Sequence, residues 1–339
     1  DRAIGGKTHG GIAHGWDSSF GSSPCYSRTI ARMPHAPTEG LVVSSSGRHC
    51  MVETPDGRRV LCHPRGKRSE AIVGDRVLWT PSSDEGRIEQ VLPRRNLLYR
   101  QDEMRTKSFA ANLDQVLVLV AGEPAFSAVQ LSRALIAAES AGIAALVACN
   151  KRDLTDAFAD AWQRLAPYRA MGYRVLGLAA KPKGGSGADD FPELERALDG
   201  RATLVLGPSG AGKSTLINRL VPSAGAQTQE ISAALRAGKH TTTRTSWYWV
   251  DRVRGTALID SPGFQEFGLR QIAPAELAGL MPDLRAHLGG CRFYNCTHLH
   301  EPGCALRSAI SDDAIPNAIT TGRYKIYSDL LAELSERRY

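Results

Sequence analysis

The chain has 339 residues, of which 42% are hydrophobic, and a formal net charge of +7. That length predicts two or three domains rather than one small one. No apolar run approaches the ~18–20 residues of a membrane span, and seven cysteines, several of them scattered, do not match a secreted disulfide framework. We therefore expect a cytoplasmic, monomeric protein without membrane contact, and the positive charge favours an anionic partner such as RNA.

The first 100 residues divide into two parts. Residues 1–36 are rich in Gly, Ser and His without a period, which predicts a disordered tail. Over residues 37–100, short β-branched stretches separated by turn signals predict a small closed barrel of the oligonucleotide-binding type. The predicted stretches are Gly40–Glu53, Arg58–His63, Asp75–Thr80 and Arg87–Leu92.

Basic residues are frequent in the predicted barrel. They are Arg58, Arg59, Arg65, Lys67, Arg68, Arg94, Arg95 and Arg100. Two interpretations remain open: a solvated exterior, or a surface that contacts the phosphate backbone of RNA.

The chain changes to an α/β pattern over residues 101–272. Apolar strands such as Gln115–Ala121, Ile143–Cys149 and Thr203–Leu206 alternate with helical segments, for example Ser127–Ala141 and Ala157–Met171. This alternation predicts a mostly parallel, doubly wound sheet. Residues 273–339 are predicted to form a helical domain interrupted by a Cys/His cluster.

A phosphate-binding loop follows the strand Thr203–Leu206 and begins a helix. It matches G-x-x-x-x-G-K-[ST] over Gly207, Pro208, Ser209, Gly210, Ala211, Gly212, Lys213, Ser214 and Thr215. Backbone N–H groups and the helix dipole can bind the phosphates, Lys213 can neutralise the γ-phosphate during catalysis, and Ser214 can bind Mg²⁺. The motif predicts a nucleoside triphosphate with Mg²⁺ but does not choose the base.

The base is indicated by Asn150, Lys151, Arg152 and Asp153, an N-K-x-D motif at the end of the strand Ile143–Cys149. The Asp153 carboxylate can accept from guanine N1–H and the exocyclic amine, and adenine presents neither donor in that arrangement. Residues 178–181 are a candidate for the companion base-contact loop, although Ala179 replaces its usual serine. Together with the phosphate loop, this motif predicts GTP and GDP as ligands.

Two switch segments are predicted from the sequence. Asp260-Ser261-Pro262-Gly263 fits D-x-x-G, in which Asp260 holds Mg²⁺ through water and Gly263 contacts the γ-phosphate. In the first switch, residues 239–243, Thr243 is the first candidate for Mg²⁺ and Thr242 the second.

The usual water-orienting Gln is absent after the D-x-x-G motif. Phe264 stands in that place and cannot orient water, so we expect slow intrinsic hydrolysis that a partner accelerates. His240 is a candidate catalytic replacement; the alternative is a switch histidine that contacts RNA or nothing.

A metal cluster is predicted from Cys291, Cys296, His298 and Cys304, with spacing C-x4-C-x-H-x5-C. Three thiolates and one imidazole suit tetrahedral Zn²⁺, and four protein ligands leave no open position, so the zinc is expected to be structural. A disulfide or free thiols are the alternatives, and His300 could replace His298.

The order of these motifs is inverted relative to most GTPases, because N-K-R-D precedes the phosphate loop and D-S-P-G comes last. This order, the G-K-H-T-T-T switch, D-S-P-G-F and the Cys/His spacing resemble the RsgA (YjeQ/YloQ) family of bacterial ribosome-dependent GTPases over about residues 37–339. The resemblance implies an oligonucleotide-binding barrel, a circularly permuted GTPase domain and a zinc domain. It also implies late maturation of the small ribosomal subunit, rRNA binding and hydrolysis stimulated by that subunit.

Two other functions remain open at this point: an RNA-binding checkpoint that uses GTP mainly as a ligand, and an ATP-dependent enzyme, which N-K-R-D disfavours. Because the zinc segment directly follows the second switch, we also expect nucleotide state to move the zinc domain.

Overall fold

A computed structural model describes residues 36–46, 49–64, 71–82, 85–102, 106–181, 190–225, 244–262, 267–312 and 318–336. Within these ranges it contains thirteen strands and eight α-helices. The strands are β1 (Thr38–Ser46), β2 (His49–Glu53), β3 (Arg59–Pro64), β4 (Arg76–Pro81), β5 (Gly86–Val91), β6 (Leu97–Gln101), β7 (Thr106–Ala111), β8 (Gln115–Ala121), β9 (Ala144–Asn150), β10 (Arg174–Gly177), β11 (Ala202–Leu206), β12 (Ser246–Asp251) and β13 (Thr256–Asp260). The α-helices are α1 (Ala128–Ser140), α2 (Thr155–Arg164), α3 (Ala166–Ala170), α4 (Phe191–Leu198), α5 (Lys213–Leu220), α6 (Pro282–Arg285), α7 (Ala305–Ser308) and α8 (Thr321–Ser335). Short 3₁₀ helices span Pro274–Leu280 and Leu288–Gly290. None of the helices in the described ranges combines the length and apolar composition needed to cross a membrane.

The N-terminal barrel closes through five strands. They pair in the order β1-β2-β3-β5-β4, and β4 returns to β1. Alternate side chains point inward to a core that includes Val42, Val52, Trp79 and Ile88, all at most 3% exposed. This confirms the predicted barrel.

One predicted barrel stretch was wrong in detail. Gly40–Glu53 is two antiparallel strands, with Leu41 opposite Glu53 and Ser46 opposite His49. The run of three serines and a glycine at residues 44–47 interrupts the apolar pattern, and it was a turn signal that the prediction missed.

The central sheet has the order β10-β9-β8-β11-β13-β12 and is parallel except for β12. At its end, β12 pairs with barrel strand β1 through Ser44 and Ser246, so barrel and central strands form one continuous sheet. The β6–β7 hairpin and helix α4 were not predicted.

The predicted helical segment Ala157–Met171 contains two helices. Helix α2 ends at Arg164, and α3 begins at Ala166 with Pro167 in its first turn. Proline has no N–H to donate to the preceding turn, so the first helix cannot continue through it.

The C-terminal elements pack against helix α1. Ser127 caps α1, and its buried residues, among them Leu131 and Leu135, belong to the same apolar cluster as Leu277, Tyr327 and Leu330. The predicted helical region is therefore mostly short turns around one long helix, α8, which shares the core of the GTPase sheet.

A buried ion pair joins these layers. The Arg323 guanidinium on α8 donates to both oxygens of Asp283 at 2.8 and 3.1 Å and to the Ser132 hydroxyl on α1 at 2.6 Å. Arg323 is 5% exposed and Ser132 is 1% exposed. The Asp283 side chain is 10% exposed, so the network lies almost entirely away from water, and it joins α8 to α1.

Candidate nucleotide site and metal site

The carboxyl ends of the parallel strands meet at one edge of the central sheet. The segments after β9, β10, β11 and β13 carry the N-K-R-D motif, residues 178–181, the phosphate loop and the start of D-S-P-G. Ligands of open α/β sheets bind at this edge. The inverted order in sequence therefore does not separate the motifs in space.

The phosphate loop turns sharply between β11 and α5. Gly207 and Gly212 have φ angles of +152° and +99°, and a Cβ at Gly207 would collide with the Leu119 carbonyl. A Cβ at Gly212 would collide with the Asn150 amide. Both glycines are therefore required by backbone conformation and by close approach.

Asn150 connects the base motif to the phosphate loop. Its Nδ2 donates to the Ala211 carbonyl at 2.9 Å, and its Oδ1 accepts from the Ala180 N–H at 2.9 Å. The side chain is 3% exposed, so both bonds form away from water. One buried amide thus connects the base motif to two other loops. Their bonded residues, Ala180 and Ala211, lie 30 and 61 residues further along the chain.

The rest of the base motif is positioned by local backbone contacts. Lys151 has a φ of +65°, and its ammonium donates to the Glu123 carbonyl at 2.6 Å. The Arg152 N–H donates to the Leu178 carbonyl at 2.9 Å. Asp153 follows on the same turn and is partly exposed.

A buried acid, Asp260, and a partly buried base, Lys213, lie at the phosphate end of the site. Burial raises the pKa of Asp260 to about 6, although the Lys213 charge lowers it. Burial also lowers the pKa of Lys213, against the effect of Asp260. The ammonium donates to the Gly207 and Pro208 carbonyls at 2.8 and 3.0 Å.

A divalent cation bound beside Asp260 would keep its carboxyl group ionised, because a nearby positive charge favours the carboxylate. Ser214, at the start of α5, is the other described group that suits Mg²⁺.

Several predicted switch residues lie outside the described ranges. These are His240, Thr242, Thr243, Gly263 and Phe264. Their roles stay predictions.

Two contacts around the site were not found from the sequence. The Ser261 hydroxyl donates to the Val205 carbonyl at 2.8 Å and anchors the D-S-P-G turn to β11. Arg219 on α5 donates to the Ala179 carbonyl at 2.7 Å, so it supports the loop whose serine is replaced. Both partners are distant in sequence, and no local pattern could have identified them.

The Cys/His loop, residues 291–304, brings its four predicted ligands together. Their ligating atoms all lie within 4.8 Å of one another. His298 Nδ1 is 3.4 Å from Cys291 Sγ and 3.5 Å from Cys304 Sγ, and the two sulfurs are 4.0 Å apart. A zinc tetrahedron with ordinary bond lengths requires about 3.6 Å between nitrogen and sulfur and about 3.8 Å between sulfurs.

The surroundings of the loop favour metal binding. His298 and Cys304 are 7% and 3% exposed, and burial lowers the pKa of His298, so the imidazole is neutral and free to bind a metal. The Tyr324 and Tyr327 hydroxyls of α8 donate to the His298 and Thr297 carbonyls at 2.7 and 2.9 Å. The cluster is a candidate metal site packed against α8, and His300 is not part of it.

The basic residues of segment 37–100, the predicted barrel, are less free than their number suggests, and Arg94, Arg95 and Arg100 follow its last strand, β5. Arg59 pairs with Glu53, Arg94 with buried Asp75, Arg95 with Asp114 and Arg100 with Asp102 at 3.0, 2.7, 2.7 and 3.8 Å. Arg65, Lys67 and Arg68 lie outside the described ranges. At these four positions the arginine charge is therefore partly neutralised within the chain.

Comparison with known proteins agrees with this architecture. Residues 91–270 match the family model "RsgA GTPase". The small ribosomal subunit biogenesis GTPase RsgA of Variovorax paradoxus (strain S110) is 61% identical over 311 residues, covering 92% of this chain and 96% of the relative. Its counterpart from Paraburkholderia xenovorans (strain LB400) is 47% identical over 319 residues, covering 90% and 97%.

Two solved structures share the fold. The crystal structure of YjeQ from Thermotoga maritima has a TM-score of 0.67 at 29% identity and covers 89% of this chain and 100% of its own. The structure of YloQ, described as a circularly permuted GTPase, has a TM-score of 0.63 at 25% identity and covers 91% and 99%. The relatives and structures each cover about nine-tenths of this chain, and the chain belongs to the RsgA family of GTPases.

Proposed function

We propose that this protein hydrolyses GTP to GDP and phosphate during late maturation of the small ribosomal subunit, and that the subunit and its rRNA stimulate the reaction. The names of the relatives supply the subunit. The proposal places the protein in the cytoplasm as a monomer. It also keeps the predicted divisions: a tail over 1–36, a barrel over 37–100, a GTPase domain over 101–272 and a zinc domain over 273–339.

The observation that carries the proposal is the pair of hydrogen bonds made by the Asn150 side chain. The buried Asn150 amide of the guanine-type motif donates to the Ala211 carbonyl of the phosphate loop at 2.9 Å and accepts from the Ala180 N–H, in residues 178–181, at 2.9 Å. A nucleotide spanning the two loops would contact both the base motif and the phosphate loop. This connection supports GTP recognition in a way that the phosphate loop alone does not.

The site residues have separate roles in this proposal. The Asp153 carboxylate accepts hydrogen bonds from guanine N1–H and the exocyclic amine, and Lys151 and Arg152 complete the base loop. The phosphate loop from Gly207 to Thr215 binds the phosphates, and Lys213 stabilises charge on the γ-phosphate. Asp260, Ser214 and Thr243 hold Mg²⁺, which supplies charge neutralisation at the phosphates when bound. Gly263 contacts the γ-phosphate, and His240 polarises the attacking water.

The metal proposed for the Cys/His loop is zinc. The donor set of three sulfurs and one nitrogen suits zinc, and the distances among Cys291, His298 and Cys304 fit its tetrahedron. Cys296 is the fourth ligand. With all positions filled by protein, the metal has a structural role.

The decisive experiment is turnover of GTP by the whole protein alone, with small ribosomal subunits and with large ones. We expect slow turnover alone and strong stimulation by small subunits only. Equal rates in all three conditions would contradict the proposal and favour a checkpoint that uses GTP as a ligand.

Base choice needs its own measurement. Asp153→Ala is expected to weaken GTP binding and to remove the preference over ATP, because the acceptor for N1–H and the exocyclic amine is lost. Asp156→Ala, in the first turn of α2, is the matched control and should keep the preference. If the parent protein bound ATP as tightly as GTP, the guanine assignment would be wrong.

A further inference from the structure

The most exposed aromatic side chains in the described ranges lie on the Cys/His loop. Tyr294 is fully exposed at 102%, and Phe293 is 40% exposed. We call these two residues the aromatic tip. The two rings are adjacent in sequence, so together they form a small exposed aromatic surface that a partner could contact.

The backbone of the tip is held by hydrogen bonds within the Cys/His loop. It lies between two metal-ligand candidates, Cys291 and Cys296, and the Cys296 N–H donates to the Phe293 carbonyl at 3.3 Å. The Arg292 N–H donates to the Gly303 carbonyl at 3.0 Å. A loop whose backbone is already ordered loses less conformational freedom on binding, which makes the tip a suitable anchor for a partner.

The charge around the tip favours an anionic partner. Residues 284–311 contain three arginines and a single carboxylate, Glu301; of the arginines, Arg285 pairs with Glu139 on α1 at 3.3 Å. That carboxylate already accepts from the Thr297 N–H and hydroxyl at 2.7 and 2.6 Å. Arg292 has no carboxylate partner in the described part of the chain, and its guanidinium lies 5.4 Å from the Phe293 ring centre.

Exposed rings beside an uncompensated guanidinium are the elements with which proteins bind single-stranded nucleic acid. Every base has a planar face that can stack on an aromatic ring, and arginine contacts the adjacent phosphate. A protein partner would instead require a wider apolar patch than two rings provide. Double-stranded RNA would leave the tip without a base to stack on, because its bases are already stacked.

We propose that the aromatic tip stacks on an unpaired base of single-stranded RNA, with Arg292 neutralising the neighbouring phosphate. The inference deepens the proposed function and rests on rRNA being the partner. It assigns base stacking to the Cys/His loop, whereas the four ion-paired arginines of the barrel are less available for phosphate contacts.

The test uses the whole, metal-loaded protein and a labelled single-stranded RNA of about 12 nucleotides, within the site sizes of such proteins. Tyr294→Ala is expected to weaken binding by about 5-fold to 150-fold, the effect of removing one base-stacking ring. Tyr294→Phe should bind like the parent, and Tyr294→Leu, apolar but not planar, should lose affinity like Tyr294→Ala. Arg292→Ala should reduce the salt dependence of binding by about 0.7 in the log–log slope.

Two controls separate stacking from general effects. Val253→Ala removes a 99% exposed apolar side chain from the β12–β13 turn and should leave RNA binding unchanged. The metal content of each variant shows that the Cys/His loop is intact. Unchanged affinity in Tyr294→Ala, or an equal loss on a fully paired duplex, would overturn the inference.

The inference and the proposed function can fail separately. If small subunits stimulate turnover of the parent but Tyr294→Ala binds RNA normally, only the inference is wrong. If Tyr294→Ala loses RNA binding but no subunit stimulates the parent, the inference stands and the proposed function is wrong.

Discussion

The barrel and the Cys/His loop are both small, but they are stabilised in different ways. The barrel closes on its own apolar core, in which Val42, Val52 and Ile88 are almost fully buried. The Cys/His loop has few apolar residues of its own and depends on its four ligand residues and on packing against α8. A closed sheet can bury a core within about 60 residues, whereas a short loop needs a metal or a neighbour.

The largest effect is expected when one of the predicted metal-ligating residues of the Cys/His loop is replaced. Cys304→Ser is expected to abolish metal binding and unfold the Cys/His loop, because structural zinc supplies about 10–16 kcal/mol of apparent binding energy in small domains. Metal analysis and hydrogen exchange of residues 291–304 measure this. Cys62→Ala, which removes a buried thiol from the barrel core, is the control and should keep the metal. Full metal content in Cys304→Ser would remove this residue from the ligand set.

A smaller loss is expected at the ion pair that fixes α8. Arg323→Ala leaves the Asp283 carboxylate, whose side chain is 10% exposed, without its two guanidinium hydrogen bonds, so the free energy of unfolding should fall by about 3–5 kcal/mol. Denaturant unfolding measures the change. Arg285→Ala breaks the exposed pair with Glu139 and should cost less than about 1 kcal/mol. Equal losses in the two variants would mean that burial does not set the strength of the Arg323 pair.

The stability of the barrel should depend on the packing of its apolar core and not on bound metal. Ile88→Ala is expected to cost about 2–5 kcal/mol through the cavity that it leaves, with bound metal unchanged. Thermal unfolding with and without a chelator separates the contribution of core packing from that of the metal. A chelator effect larger in Ile88→Ala than in the parent would show that the barrel also depends on the metal.

The smallest effect is expected at the paired arginines of the barrel. Arg95→Ala breaks an exposed ion pair with Asp114 and should change the free energy of unfolding by about 0–1 kcal/mol. It should also reduce RNA affinity less than Arg292→Ala, because the Arg95 charge is already balanced. A larger loss of RNA binding in Arg95→Ala would restore the barrel as the main contact surface.

The parts of the molecule that the sequence predicted are those with strong local patterns. Short β-branched stretches predicted the barrel, and the alternation of apolar strands with helical segments predicted the α/β sheet. The spacing of the Cys/His motif predicted that Cys291 and Cys304 lie close together, as they do. The break between β1 and β2 was missed because the apolar residues on both sides of it resembled one strand.

Contacts between distant residues had no such pattern. Arg219 reaches Ala179 across 40 residues, and Arg323 reaches Ser132 across 191. Their partners are set by how the layers pack. The basic residues of the barrel show the same limit, because a count of charges does not reveal which carboxylates lie beside them.

The junction of β1 with β12 has a consequence for any shortened form of the protein. Strand β12 ends the central sheet, and Ser44 supplies its backbone partner from the barrel, while Glu53 accepts from Trp249 at 2.6 Å and pairs with Arg252 at 2.9 Å. Without the barrel, β12 becomes an open edge strand with unsatisfied backbone groups, a template for strands of other chains. The barrel thus covers part of the edge of the GTPase sheet.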